Sequence, residues 1–343
     1  MNSDELYDIF ARRDKSYEAL FFMGVKTTGI FCRPGCPARL PKRENVTFHT
    51  TAEAALAAGY RACKRCHPTR MPGEATSLVK DLINLVENNP EHRWDETNLK
   101  QKGIDPSTAR RQFKSRFGMT FSQYARQRRL SLANTSLSAG DKVIEAQLSA
   151  RYDSPSGFRD AFSKTFGKAP KNNPKDPLVI AWHDTPLGPM MTICDADHLF
   201  LIEFTNRKNI HRQLEKLRKR QGRAIIPGRT DITDHIEREI NAYFSGSLKS
   251  FETPLETTGT VFQKSVWGQL CEIPYGQTRS YSELAEMVGN EKAVRAVASS
   301  NANNGLAIVI PCHRVISKGG GLGGYAGGLD KKTWLLAHEK NYI

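Results

Sequence analysis

The chain has 343 residues, enough for two or three domains that each bury a core. It carries 50 Lys and Arg against 36 Asp and Glu, a net charge of +14 with a pI near 9.5. That excess goes beyond what solubility requires, and nucleic acid is the commonest partner for it. No run of about 18 apolar residues is present, so a helical membrane span is excluded. The opening Met-Asn-Ser-Asp-Glu-Leu-Tyr-Asp-Ile-Phe lacks the basic start and apolar core of a secretory signal, and a reducing cytoplasm is the expected compartment. There the seven cysteines read as metal ligands or nucleophiles before disulfides. Composition breaks at Met71 and at Pro170, the latter opening Pro-Lys-Asn-Asn-Pro-Lys-Asp-Pro, divide the chain. Expected units are 1–75, 76–172, 178–256 and 257–343.

In the first unit, Cys32-x3-Cys36 and Cys63-x2-Cys66 form two close pairs about two dozen residues apart. Each pair can supply two thiolates from one tight turn, the pattern of a closed tetrahedral zinc site. Two disulfides are the competing reading, disfavoured by the compartment. Between the pairs, Ala-Glu-Ala-Ala-Leu-Ala-Ala-Gly predicts a short helix ended by Gly59, in a small domain that zinc would staple. Thr-Thr-Gly-Ile-Phe-Cys-Arg-Pro-Gly-Cys and Arg-Ala-Cys-Lys-Arg-Cys-His-Pro resemble the methyl-acceptor domain of Ada-type adaptive-response proteins. The resemblance implies that Cys32, the first ligand, accepts a methyl group from a methyl phosphotriester of the DNA backbone. Methylation would remove one negative charge, leaving Arg33, Arg39, Lys42, Arg43, Lys64 and Arg65 to attract phosphate more strongly.

The second unit contains an internal repeat: Asp-Pro-Ser-Thr-Ala-Arg-Arg-Gln-Phe-Lys-Ser-Arg-Phe-Gly from Asp105 aligns with Ser-Pro-Ser-Gly-Phe-Arg-Asp-Ala-Phe-Ser-Lys-Thr-Phe-Gly from Ser154. Each copy opens with an N-cap followed by proline at the first helical position and closes on Gly118 or Gly167. Phe113 and Phe117, like Phe162 and Phe166, are spaced for a buried stripe, with Arg, Gln, Lys and Ser outward. A short helix and a turn precede each copy, near Gly103 and Tyr152, giving two helix-turn-helix units. With a longer helix through Phe121, Tyr124, Arg128 and Leu132 joining them, this order resembles the AraC-type DNA-binding domain. Helices around 107–116 and 156–165 would then enter successive major-groove segments, with Arg110 and Arg159 on their outward faces. The leading helix of the first unit, Asn98-Leu99-Lys100-Gln101-Lys102, departs from the pattern in being polar.

From Leu178 to about Leu255, apolar segments such as Met-Met-Thr-Ile-Cys read as strands and the charged 207–222 run as a helix, with Cys194 and Cys271 expected as core thiols. Farther on, Ile-Val-Ile-Pro-Cys-His-Arg-Val, 308–315, sets a thiol beside an imidazole after an apolar run expected to form a buried strand ended by Pro311. A cysteine with a base at hand gains nucleophilicity over one at its ordinary pKa. This octet, with Ser-Val-Trp-Gly-Gln-Leu, Ile-Pro-Tyr-Gly-Gln-Thr-Arg-Ser-Tyr and Trp-Leu-Leu-Ala-His-Glu, resembles the O6-alkylguanine-DNA alkyltransferases over about 178–343. The resemblance implies that Cys312 attacks the alkyl carbon on O6 of guanine, that His313 takes the thiol proton through a water, and that Glu339 stabilises the imidazolium. It further implies that Tyr281 donates to the guanine, that Asn304 holds the turn before the active-site segment, and that Arg295, on a helix lying in the minor groove, replaces the flipped base. The glycine-rich 319–328 segment would cover that base.

The expected architecture is multidomain α+β. It comprises a small zinc-stapled α/β domain, an all-α double helix-turn-helix domain, an α/β subdomain of RNase H-like type and a winged-helix-like alkyltransferase domain. The expected function is irreversible transfer of methyl groups from O6-methylguanine and O4-methylthymine to Cys312 and from phosphotriesters to Cys32, the latter switching on transcription. Zn2+ is the implied cofactor. Alkylated and promoter DNA and RNA polymerase are the implied partners of a monomer. A zinc-stabilised transcription factor that merely senses lesions is the competing reading, and it has no need of Cys312 beside His313.

Overall fold

The computed structural model describes the chain except residues 19, 173 and 174, so the centre of the proline-rich linker lies outside the described residues. The N-terminal part has α1 (Ser3–Ala11), β1 (Phe22–Val25), β2 (Ile30–Cys32), β3 (Val46–His49), α2 (Ala52–Ala57) and β4 (Arg61–Ala62). Its sheet runs β3-β1-β2-β4, and only β2 and β4 are parallel. That parallel pair sets Cys32, the last residue of β2, beside Cys63, the first residue after β4. One sheet face buries Met23 and Val25 with Ile9 and Phe10 of α1 and the cysteines; the other buries Phe22 and Phe31 against Ala52 and Ala55 of α2. Each face therefore has its own helix, as alternation along a strand dictates.

Six helices follow: α3 (Ser77–Asn88), α4 (Glu96–Gln101), α5 (Pro106–Phe117), α6 (Phe121–Ser138), α7 (Val143–Ser149) and α8 (Pro155–Phe166). The repeat is visible in three dimensions. Asp105 and Ser154 accept from the backbone N–H of Thr108 and Gly157, and Gly118 and Gly167 end their helices at φ 70° and 74°, where L side chains are strained. Phe113 and Phe117 pack with Trp94, Phe121 and Tyr124 in one core; Phe158, Phe162 and Phe166 pack with Leu130 and Ala133 in a second. The long α6 contributes to both cores, which fixes one helix-turn-helix relative to the other.

The last half begins with β5 (Leu178–His183), β6 (Met190–Cys194), β7 (Leu199–Phe204), α9 (Ile210–Gln221), β8 (Ile225–Pro227) and α10 (Asp231–Phe244), the sheet running β7-β6-β5-β8. Strands β6 and β7 are buried at every position. Met191, Ile193 and Phe200 enter a core beneath α9, whereas Met190, Cys194, Ile202 and Phe204 enter the large core shared with the C-terminal helices. The rest comprises α11 (Val261–Cys271), β9 (Arg279–Ser280), α12 (Tyr281–Met287), α13 (Val294–Ala302), β10 (Val315–Ile316) and α14 (Leu329–Asn341).

The helical domain rests on this sheet. Phe117 meets Trp182 edge-to-face at 4.7 Å between centroids, and Arg116 pairs with Asp184 at 2.6 Å while donating to the Gly73 carbonyl.

Two expectations fail. The 308–310 run forms no strand: it has isolated bridges, with Ala307 to Ile310 closing on itself and Ile202 pairing with Leu306, and Ile308 sits at φ 72°. A β-branched residue there is strained and must be held by its surroundings, which is common at functional sites. Cys271, at the end of α11, is exposed rather than in the core.

Candidate functional sites: a four-cysteine centre and a buried thiol

The four cysteines converge, their sulfurs all within 4.8 Å of one another. Four thiolates at the Zn–S distance of about 2.3 Å around one ion are separated by about 3.8 Å, so the set fits a tetrahedral zinc. The local chain explains the convergence. Cys36 N–H closes a turn on the Arg33 carbonyl at 3.3 Å, and Cys63 N–H bonds the Phe31 carbonyl at 3.0 Å, tying the second pair to the first. Arg65 N–H donates to the Cys63 sulfur at 3.4 Å. Cys32, Cys36 and Cys63 are buried and Cys66 is partly so. Without a cation the crowded thiols cannot all ionise: hydrogen bonds from Cys32 first, then Cys66, pull the Cys36 thiol down to about 2, while the same contacts push the Cys32 thiol up.

The basic residues around it separate into two groups. Arg39, Lys42, Lys64 and Arg65 are exposed and line an apolar-floored cavity that reaches Cys32 and Cys63. Arg33 does not face a ligand: it is buried, paired with Glu18 at 3.8 Å, and donates to the carbonyls of His67 and Arg70. Its role is to brace the loop that follows the second cysteine pair, because a buried guanidinium has to satisfy its donors internally. Arg43 is engaged by Asp4. On the helix-turn-helix units, Arg110 is exposed but pairs with Glu96, and Arg159 is exposed.

The second site lies in the large C-terminal core. Cys312 opens a turn of 3-10 helix, Cys312–Arg314, and burial pushes its thiol up to about 11. It is thus protonated at neutral pH and needs a base to become a nucleophile. His313 is fully buried, and burial foremost lowers its pKa, leaving the neutral imidazole able to accept a proton. Its Nε2 meets Glu339 Oε1 at 2.7 Å, while its buried Nδ1 has no hydrogen-bond partner among the described residues. Among the described residues the buried Tyr325 hydroxyl and Asn301 Oδ1 also lack partners, and the His313 and Tyr325 rings lie 6.5 Å apart. Asn301 donates Nδ2–H to the Cys312 carbonyl at 3.3 Å, which places this side chain against the backbone of the reactive cysteine.

Glu339 is the hub of this site. Besides His313 it accepts from Arg314 Nε at 2.9 Å and Nη2 at 3.0 Å, from the Tyr243 hydroxyl at 2.9 Å and from Gly276 N–H at 3.1 Å. Burial alone would raise its pKa; the bonds from His313 and Arg314 outweigh burial and hold it below the usual carboxylate range. Arg314 could have been suspected from its place beside His313, but nothing in the sequence links Tyr243 to Glu339, which stands 96 residues away. Asn304 Oδ1 accepts Leu306 N–H at 2.9 Å and its Nδ2 donates to the Ile310 carbonyl at 2.9 Å, bracing the strained turn at Ile308. The Tyr281 hydroxyl faces the Gly324 carbonyl at 3.5 Å across the glycine-rich segment. That segment is held by the fully buried Lys332, whose ammonium donates to the carbonyls of Val315, Leu322 and Gly324. Arg295 is exposed on α13.

Comparison with known proteins adds three family matches: the metal binding domain of Ada over residues 5–69, a helix-turn-helix domain over 100–173, and the 6-O-methylguanine DNA methyltransferase DNA binding domain over 261–341. The first contains all four clustered cysteines, and the cofactor of that centre is zinc. A Mycobacterium tuberculosis OGT structure in complex with DNA is 35% identical over 48% of this chain and 94% of that chain, with a TM-score of 0.42. The Salmonella typhimurium "Regulatory protein ada" is 34% identical, covering 98% of this chain and 96% of its own length. The Escherichia coli "Bifunctional transcriptional activator/DNA repair enzyme Ada" is 34% identical over 99% of this chain and 97% of its own length. With the zinc centre, the paired helix-turn-helix units and the buried Cys-His-Glu site in one chain, this protein belongs to the Ada family.

Proposed function

We propose that the protein repairs alkylated DNA by moving methyl groups irreversibly onto Cys312 and Cys32, and that methylation of Cys32 turns it into a transcriptional activator. The observation that carries the reading is the contrast of two nucleophile sites in one chain: a buried thiol beside a His–Glu pair, and a four-sulfur centre opening on an exposed basic cavity.

At the first site, Cys312 Sγ forms a bond to the methyl carbon on O6 of guanine, or on O4 of thymine, as the carbon–oxygen bond breaks and its electrons enter the base. The thiol proton passes through a water to His313 Nδ1, the atom without a hydrogen-bond partner among the described residues. Glu339 then faces an imidazolium across 2.7 Å. Tyr281 donates to the base as charge develops, and Arg295 fills the place of the flipped nucleotide. Asn304 positions the segment. At the second site, zinc when bound keeps the sulfurs unprotonated at neutral pH. Cys32 takes the methyl carbon of a phosphotriester and the phosphodiester oxygen leaves with the electron pair. The centre loses one negative charge, and Arg39, Lys42, Lys64 and Arg65 then attract phosphate more strongly.

α5 and α8, carrying Arg110 and Arg159, are the promoter-reading helices. The functional units are 1–75, 76–172, 178–256 and 257–343, and the protein acts as a cytoplasmic monomer that engages RNA polymerase once on the promoter.

The test is binding to a promoter fragment of an alkylation-response gene, before and after exposure to duplex bearing methyl phosphotriesters. Wild type and Cys312→Ala should tighten on exposure and Cys32→Ala should not. Equal affinity before and after exposure in wild type would remove the switch.

A further inference from the structure

We propose that the outward face of α9 is an additional DNA-backbone contact, taking the phosphates of duplex that flanks the lesion. This rests on the repair reading above but concerns a surface that the catalytic and promoter-reading parts do not include.

Between Arg207 and Arg223 the chain has eight Lys and Arg and a single acid, Glu215. α9 buries Ile210 and Leu217, and the opposite side of the helix presents Arg212, Lys216 and Lys219, with Lys208 just before it, all exposed. Spacings of four, four and three residues put these cations in one stripe, with about 6 Å of rise per step of four. Ion pairs in the stretch involve only Arg207, with Glu203, and Arg223, with Asp195, so among the described residues the stripe is unpaired.

The fold itself gains nothing from this arrangement. Like charges four apart destabilise a helix slightly. Cations in the last turn are favoured by the helix dipole, which accounts for Arg218 and Lys219, but Lys208 and Arg212 stand at the other end, where the dipole opposes them and the first turn has no acid. A cationic stripe that costs helix stability and lacks internal partners is complementary to a polyanion.

The stripe is also joined to the proposed DNA-reading end of the molecule. Arg207, leading into α9, donates to the carbonyls of Ala302 at 2.8 Å and Asn304 at 2.8 Å, which end α13. A cavity of about 110 Å³ separates the two, lined by Gln213, Lys216 and Arg220 of α9 and by Asn303 and Gly305. The flank of α9 therefore runs from the C-terminal end of the helix assigned to the minor groove, where phosphates of the flanking duplex are the nearest polyanion.

The experiment compares the full-length zinc-loaded protein with the triple variant Arg212→Gln, Lys216→Gln, Lys219→Gln, measuring affinity for an unmodified duplex of about 30 base pairs across a salt series. Three lost phosphate contacts should flatten the slope of log K against log salt by about 2.7. The charge-keeping variant Arg212→Lys, Lys216→Arg, Lys219→Arg should retain the wild-type slope, and a melting curve reports that both fold. A triple-Gln slope equal to wild type, or a charge-keeping variant that loses slope equally, overturns the proposal; the first result leaves an acidic protein surface as the partner class. The transfer rate of both proteins on saturating O6-methylguanine duplex is read in parallel. Loss of transfer in wild type itself would refute the repair reading without touching the salt result.

Discussion

The two sulfur centres solve one problem by opposite means. At Cys32 four thiols crowd within 4.8 Å, and a divalent cation compensates their charge. At Cys312 one thiol lies alone in an apolar core that pushes its pKa up to about 11, and in the proposed reaction its ionisation falls to a neutral histidine backed by a carboxylate that four donors hold in place. The difference teaches where each nucleophile is vulnerable: the first to anything that removes metal, the second to anything that disturbs a hydrogen-bond network or its protonation.

The sharpest break of the comparison is removal of each sulfur. Cys312→Ala should abolish transfer from O6-methylguanine and leave transfer to Cys32 at the wild-type rate, as read by methyl incorporation from each substrate separately. Next in size is metal removal. Structural zinc contributes on the order of 10 kcal/mol to small domains at neutral pH, so a strong chelator should unfold the first 70 or so residues and end transfer to Cys32, with transfer to Cys312 unchanged. Chelation that slowed both equally would mean that the centres are not independent.

His313→Ala should slow transfer to Cys312 by about 10² to 10⁴ without changing the Cys32 rate, the usual loss on deleting a general base. Glu339→Gln should destabilise the C-terminal domain as well, by about 3–5 kcal/mol, because Arg314 would be left buried without its counter-charge. A variant that lost rate with no loss of melting temperature would contradict the hub assigned to Glu339.

The smallest effects are those of pH. Burial lowers His313, so below its ordinary pKa of 6.5 the unfolded chain takes up the proton more readily than the folded one, and stability falls as pH drops through that value. Glu339, held low in the fold, adds a further loss below 4.5. Cys312 acts at the other end: its raised pKa contributes stability that is present below 9 and lost as pH climbs from 9.0 toward about 11. Melting temperatures of wild type and Cys312→Ala across this range should converge on the alkaline side.

What the sequence revealed follows the range of the interactions involved. The cysteine pairs, the capped helices and the phenylalanine stripes are local, and each is a pattern of spacing visible over a few residues. The brace around Glu339 is assembled from Tyr243, Gly276 and Arg314, which meet only in the folded core. The run at 308–310 has the composition of a strand, yet Asn304 and the bridge from Ala307 to Ile310 bend it into a strained turn, a tertiary override of local preference. Arg33 departs from its expected outward position for a related reason. The other cations expected to face phosphate are exposed, but the Arg33 side chain turns inward to Glu18 and two carbonyls, a choice made by a loop more than 30 residues on.

The most direct test of the two-centre account is intact-protein mass after incubation with methylated duplex, followed by peptide mapping, on wild type, Cys32→Ala and Cys312→Ala. The account predicts two methyl additions in wild type, one on each cysteine, and a single addition on the remaining cysteine in either variant. Methyl on Cys312 alone would make the zinc centre purely structural, and methyl on neither would contradict the account altogether.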